Sequence, residues 1–111
     1  MSAMTQSVWS LDDLKSELGV EKAFHIFLDR ASMRAEYLEY PAGHIDPQPP
    51  HDWDELYYII SGASAFTADG ETSLIKGGDS IFVAAHIEHK FHDITEDLSV
   101  IVFFSKKEAS S

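Results

Sequence analysis

Apolar residues fall in short runs along this chain, and turn-forming residues separate them. Ser10-Leu11-Asp12-Asp13-Leu14 predicts a short helix, with Ser10 as N-cap, two acids at the positive helix end and Gly19 as the stop. Beyond it the punctuation is that of strands. Phe24 to Leu28 and Arg34 to Tyr40 read as the first two, and Pro41-Ala42-Gly43 breaks the second. Pro47, Pro49 and Pro50 make a rigid approach to the strand Glu55 to Ile60, which Gly62 is expected to end. Ala63 to Thr67 and Thr72 to Ile75 flank Asp69-Gly70, a type I′ hairpin signal because both central residues need positive φ. Gly77-Gly78 makes the next turn. Ser80 to Ala84, His89 to Asp93 and Leu98 to Phe104 complete the set, and Lys106 to Ser111 is a polar tail. Many short strands between turns predict an all-β sandwich or barrel.

Composition narrows the function classes. The 111 residues predict one domain, and 44% hydrophobic content is enough for a packed core. With 19 acids against 8 lysines and arginines the net charge is −11, which disfavours phosphate backbones and anionic membranes as partners. No cysteine is present, so disulfides, thiolate metal sites and thiol nucleophiles are excluded. The first ten residues hold no long apolar run, and no segment has the length of a membrane span. A cytoplasmic protein is the expectation.

One stretch calls for chemistry beyond packing. His51-Asp52-Trp53-Asp54-Glu55 puts an imidazole and a carboxylate four residues apart at the mouth of an apolar strand. Neutral imidazole and ionised carboxylate are the usual nitrogen and oxygen ligands of a divalent cation. The plainer alternative is a hydrogen-bonded polar pair inside an empty barrel.

These residues resemble motifs of the small single-domain cupins, RmlC-like jelly-roll barrels of the double-stranded β-helix type. The first cupin motif ends in a histidine, a glutamate a few residues on, and then a glycine. Here His51, Glu55 and Gly62 fit that half, whereas Pro49 stands where an earlier histidine belongs. In the second motif, Gly78 and His89 fall in place, while Ala84, His86 and Asp93 replace its proline, glycine and asparagine. The resemblance covers about residues 33 to 104. It implies a cupin barrel over residues 24–105, preceded by an N-terminal segment with a short helix (1–23) and followed by the tail (106–111).

The resemblance also implies a metal set of His51, Glu55 and His89, two histidines and one carboxylate. Such a set suits Fe, Zn, Mn or Ni, and ligand type alone does not choose among them. Strand alternation adds neighbours to it. Glu55, Tyr57 and Ile59 share one face, as do His89, Phe91 and Asp93, with His92 turned away. If Glu55 and His89 face inward, Tyr57, Ile59 and Phe91 line an apolar pocket with them. His86 is expected in the turn near the mouth. Trp53 is expected over the mouth or a partner surface, and Asp54 as a hydrogen-bond partner of a ligand histidine. Gln48, Asp46, His44 or water could fill the place that Pro49 vacates, although His44 and Asp46 are expected in a solvated loop. The implied function is metal-dependent binding of a small organic molecule, with dioxygenase or isomerase chemistry. The alternative is a non-catalytic binder or sensor. A homodimer is implied as well.

Overall fold

A computed structural model of the chain describes residues 7–18, 23–46 and 50–106. Gly19, Pro47, Gln48 and Pro49 lie outside the described residues, so the helix stop and the vacated ligand position do too.

Helix α1, Leu11–Ser16, forms as expected. Ser10 caps it by accepting a hydrogen bond from the Asp13 amide at 3.0 Å, and Leu14 is its buried residue. Six antiparallel strands follow: β1 (Phe24–Asp29), β2 (Met33–Tyr40), β3 (Asp54–Ala68), β4 (Glu71–Lys76), β5 (Ser80–Val83) and β6 (His89–Ser105). They pair in the order β1-β2-β6-β3-β4, with β5 also on β3. Asp69 and Gly70 have φ of 52° and 82° and close the β3–β4 hairpin, as their sequence predicts.

The strand boundaries differ from expectation in one consistent way. Gly62 does not end its strand, and the two runs in 89–104 are not separate. Each pair of expected strands is one long strand with a bend. Gly62 has φ of 102°, and a Cβ there would lie 2.2 Å from the Asp97 carbonyl oxygen, so glycine lets β3 and β6 touch at the bend. The β3–β6 register shifts between Ile59 and Ala65. Asp93, with φ of 50°, plays the corresponding part in β6.

These bends curl the sheet around its own core. Tyr57 and Phe66 lie nine residues apart on β3, roughly 30 Å along a straight strand. Their ring centroids are 5.9 Å apart. Phe91 joins them at 5.3 Å from Tyr57 and 4.8 Å from Phe66, and Tyr40 reaches Phe91 at 6.2 Å. The registers also set which residues share the interior face. Rows run across β2, β6 and β3 as Arg34–Phe104–Glu55, then Glu36–Val102–Tyr57, then Leu38–Val100–Ile59. Residues directly opposite one another point to the same side.

Candidate metal centre

Glu55 is an acid in the wall of an apolar barrel, which is costly unless its oxygens are matched. Its side chain is 1% exposed, like that of His89. Oε2 takes His51 Nδ1 at 2.8 Å and lies 3.3 Å from His89 Nε2. Oε1 accepts from the Tyr57 hydroxyl at 2.8 Å, and that hydroxyl is also 3.0 Å from His89 Nε2. Strand periodicity explains the convergence of Glu55 and Tyr57, since alternate residues of β3 share the interior. His89, at the first position of β6, comes in from the far end of the chain.

Second contacts fix the rings. His89 Nδ1 lies 2.8 Å from the Ile87 carbonyl oxygen, which can only accept, so Nδ1 carries hydrogen and Nε2 faces Glu55. His51 packs edge-on against Phe104 at 5.3 Å. Its carbonyl accepts from the His86 amide at 2.7 Å, which ties the loop carrying His51 to the turn before β6.

Charge follows from this packing. Burial pushes the Glu55 carboxyl up, but the hydrogen bond and charge of His89 and the Tyr57 hydroxyl outweigh it and hold the group below its ordinary value. Burial pushes His89 down, and the hydrogen bond to Glu55 outweighs that, so its imidazole sits above its ordinary value. Burial raises the Tyr57 phenol far above its ordinary value, with the Glu55 charge adding to it.

One donor atom each from His51, Glu55 and His89 lies within 4.8 Å of the others. Neighbouring ligands around a cation at ~2.1 Å sit about 3 Å apart, and the measured separations from Glu55 are 2.8 and 3.3 Å. The donor chemistry suits a divalent metal, and the two separations from Glu55 suit neighbouring ligands of one ion.

The other residues singled out in the sequence separate into groups. Ile59 and Phe91 are fully buried in the core. The His86 side chain is 70% exposed and turns to Asp52 at 3.6 Å; the backbone of His86, not its ring, serves the site. Asp93 does not share the interior face with His89 and Phe91. Its positive φ breaks the alternation, its side chain is exposed, and Ile94 is buried instead. His92 faces away as expected, bonding Thr67 and Asp93. Asp54 bonds no ligand histidine; it accepts from the Ala85 amide at 2.9 Å. Asp46 is buried and takes the Phe91 amide at 3.2 Å and the Tyr40 hydroxyl at 3.4 Å, against the expectation of a solvated loop. His44 stacks on Tyr40 at 4.6 Å.

Beside His51 a cavity of about 500 Å³ opens toward β1 and β2. Arg34, Glu36, Leu38, Tyr40, His44 and Asp46 form its polar and apolar wall. Sequence reading missed Arg34 and Glu36. Both faces of β2 carry a charged and an aromatic residue, so only the pairing with β6 shows which face is inside.

Comparison with known proteins places this architecture. The family model described as Cupin domain matches residues 36–104. The chain is 38% identical over 100 residues to "Uncharacterized protein SCO3923" of Streptomyces coelicolor, covering 89% of this chain and 95% of that protein. Among solved structures, an RmlC-like cupin from Shewanella frigidimarina NCIMB 400 is similar with a TM-score of 0.69 and 18% identity, over 83% of this chain and 84% of the other. The DMSP lyase DddQ from Ruegeria pomeroyi DSS-3 is similar with a TM-score of 0.71 and 20% identity, over 86% of this chain and 53% of that one. At these identities the two structures speak to the fold.

Proposed function

This chain belongs to the cupin domain family, and from that premise we propose that it is a metal-binding cupin that binds, and acts on, a small organic molecule. His51, Glu55 and His89 are the proposed protein ligands. The observation that carries the reading is the convergence of their three donor atoms within 4.8 Å, with His51 also lining a cavity. When bound, the metal (Fe, Zn, Mn or Ni) supplies a Lewis acid or an oxygen-activating centre for dioxygenase- or isomerase-type chemistry.

The chain's own residues do the rest. The Ile87 carbonyl keeps His89 Nε2 aimed at the centre. Tyr57 steadies Glu55 and, with its raised pKa, holds its proton as a hydrogen-bond donor. Phe104 and Trp53, 6.0 Å apart, form an aromatic flank beside His51 that limits water on that side.

Elemental analysis of untagged protein tests the reading. Near-stoichiometric metal in the wild type and its loss in His51→Ala are expected. Metal that is absent from the wild type, or unchanged in the variant, overturns it.

A second reading is a non-catalytic binder or sensor. It is favoured by the closeness of the hydrogen bonding among His51, Glu55, Tyr57 and His89, which satisfies their polar atoms mutually. Metal content separates the two readings.

The proposal extends to a cytoplasmic homodimer. Among the described residues no helix is long and apolar enough to cross a membrane. An outer row of Phe103, Leu56 and Phe82 runs across β6, β3 and β5, 36%, 46% and 63% exposed, and supports a second copy as partner. Light scattering that returns a monomer mass sinks the dimer.

A further inference from the structure

The cavity wall facing the Glu55 cluster carries a cation. Arg34 shares a cross-strand row with Phe104 and Glu55, so all three point to the interior. Two strand spacings separate the Arg34 and Glu55 backbones by roughly 10 Å. Phe104, buried in the middle of that row, stands between them, and the cavity is lined by Arg34 at one part of its wall and by His51 of the cluster at another.

Arg34 is poorly matched where it stands. Its Nε is buried and, among the described residues, has no hydrogen-bond partner. Nη2 lies 3.4 Å from Asp29 Oδ2, and Nη1 lies 3.9 Å from Glu36 Oε2, beyond hydrogen-bonding distance. Asp29 is held more closely by Lys106, at 2.5 Å, so Arg34 is its weaker partner. The nearby acids are otherwise committed. Asp46 accepts from Phe91 and Tyr40, and Glu55 is matched by His51, Tyr57 and His89. Glu36 alone lacks a close partner in the wall.

The guanidinium is nevertheless held in place. It lies over the Trp53 ring at 5.2 Å. A cation–π contact of this kind holds the head group in place and leaves its edge for hydrogen bonds, and that edge matches a carboxylate two-point to two-point. In a chain of net charge −11, an inward arginine with a loose pair and a held head group is a docking group more than a structural one.

We infer that Arg34 anchors a carboxylate of the cavity's ligand, so that the ligand is a small organic acid whose other end reaches His51. The inference rests on the reading of the Glu55 cluster as the working centre. The ligand carboxylate replaces Glu36 as the partner of Nη1, and Trp53 keeps the guanidinium in place to receive it. Arg34 thereby sets specificity for acids over their neutral analogues.

The test uses the full chain, metal-loaded and chelated, with acetate, pyruvate, lactate and succinate as probes beside their amides. Binding is read by melting temperature and by calorimetric titration, and metal content is measured in parallel. At least one acid is expected to bind the wild type while its amide does not. Arg34→Gln is expected to weaken that acid about tenfold or more, and Arg34→Lys to keep part of the affinity. Metal content should be equal in all three. Unchanged acid binding in Arg34→Gln overturns the inference, as does equal binding of amides or no binding of any acid to metal-loaded wild type. If Arg34→Gln fails to fold, Arg34→Lys decides, because full affinity there contradicts a two-point anchor. Arg34-dependent acid binding to a protein that takes up no metal sinks the metal reading and spares the anchor. Metal uptake with no acid binding does the reverse.

Discussion

The two walls of the barrel interior handle charge in opposite ways. On the β3–β6 side, Glu55, His89 and Tyr57 are almost wholly buried, and contacts of 2.8 to 3.3 Å satisfy them. On the β1–β2 side, Arg34 and Glu36 border a cavity, and their contact is 3.9 Å long with one arginine nitrogen unmatched. The first wall is closely matched and rigidly packed. The second has the slack that lets a ligand displace existing partners. Preorganisation on one side and exchangeable partners on the other is the arrangement that the proposed metal-binding reading calls for.

The largest effect that can break this comparison is on packing. Phe91 is fully buried and touches Tyr40, Tyr57 and Phe66, the platform behind the Glu55 cluster. Phe91→Ala is expected to cost about 3–5 kcal/mol in denaturant unfolding. On the open wall Ile26 is 38% exposed, and Ile26→Ala is expected to cost well under half as much, on the order of 1 kcal/mol. Equal losses at the two positions would mean that the walls do not differ in rigidity.

The pH dependence of the tight wall is of intermediate size and reverses with metal. Glu55 is depressed from an ordinary 4.5, so its contribution is present above that value and is lost as pH falls through its folded pKa. His89 is raised from an ordinary 6.5, so its contribution is complete below 6.5 and is lost as pH rises through its folded pKa. Chelated protein should therefore draw most from this pair between pH 4.5 and 6.5 and melt lower above that window. Metal-loaded protein should do the opposite above 6.5, because His89 must shed a proton to bind a cation. Thermal melts across this range, with chelator and with added metal, would show parallel curves if the cluster binds no ion.

The same contrast explains what the sequence could and could not disclose. The tight wall was legible because its information is local and periodic. Glu55, Tyr57 and Ile59 alternate with exposed Leu56 and Tyr58, and burial follows that alternation. His89 needed the motif resemblance, since nothing local links it to a strand more than thirty residues earlier. The bends were hidden. Gly62 reads as a stop by composition, yet its positive φ carries β3 past Asp97, a contact made only in the folded chain. The polar run Thr95-Glu96-Asp97 reads as a loop, but it is exposed strand at that bend. Asp46 reads as solvated because its partner, the Phe91 amide, is distant in sequence. The open wall was hidden for a different reason. Arg34, Glu36, Leu38 and Tyr40 look no more interior than Ala35, Tyr37 and Glu39 until β6 fixes the register.

The smallest expected effect is the sharpest test of the open wall. Arg34→Met keeps an unbranched side chain over Trp53 and removes the charge. Its two carboxylate contacts are long and partly exposed, and pairs of that kind contribute about 0.2–1 kcal/mol. Against that loss stands the relief of a buried, unmatched Nε, which costs on the order of 1–3 kcal/mol while it lacks a partner. The two terms oppose, so the unfolding free energy should change by less than about 1 kcal/mol, with gain as acceptable as loss. A loss of more than ~2 kcal/mol would place Arg34 among the structural ion pairs and would make the two walls alike. A near-zero change, beside a large loss in Phe91→Ala, means that the fold does not need the arginine's charge. The reason for a cation in this cavity then has to be sought in what the cavity holds.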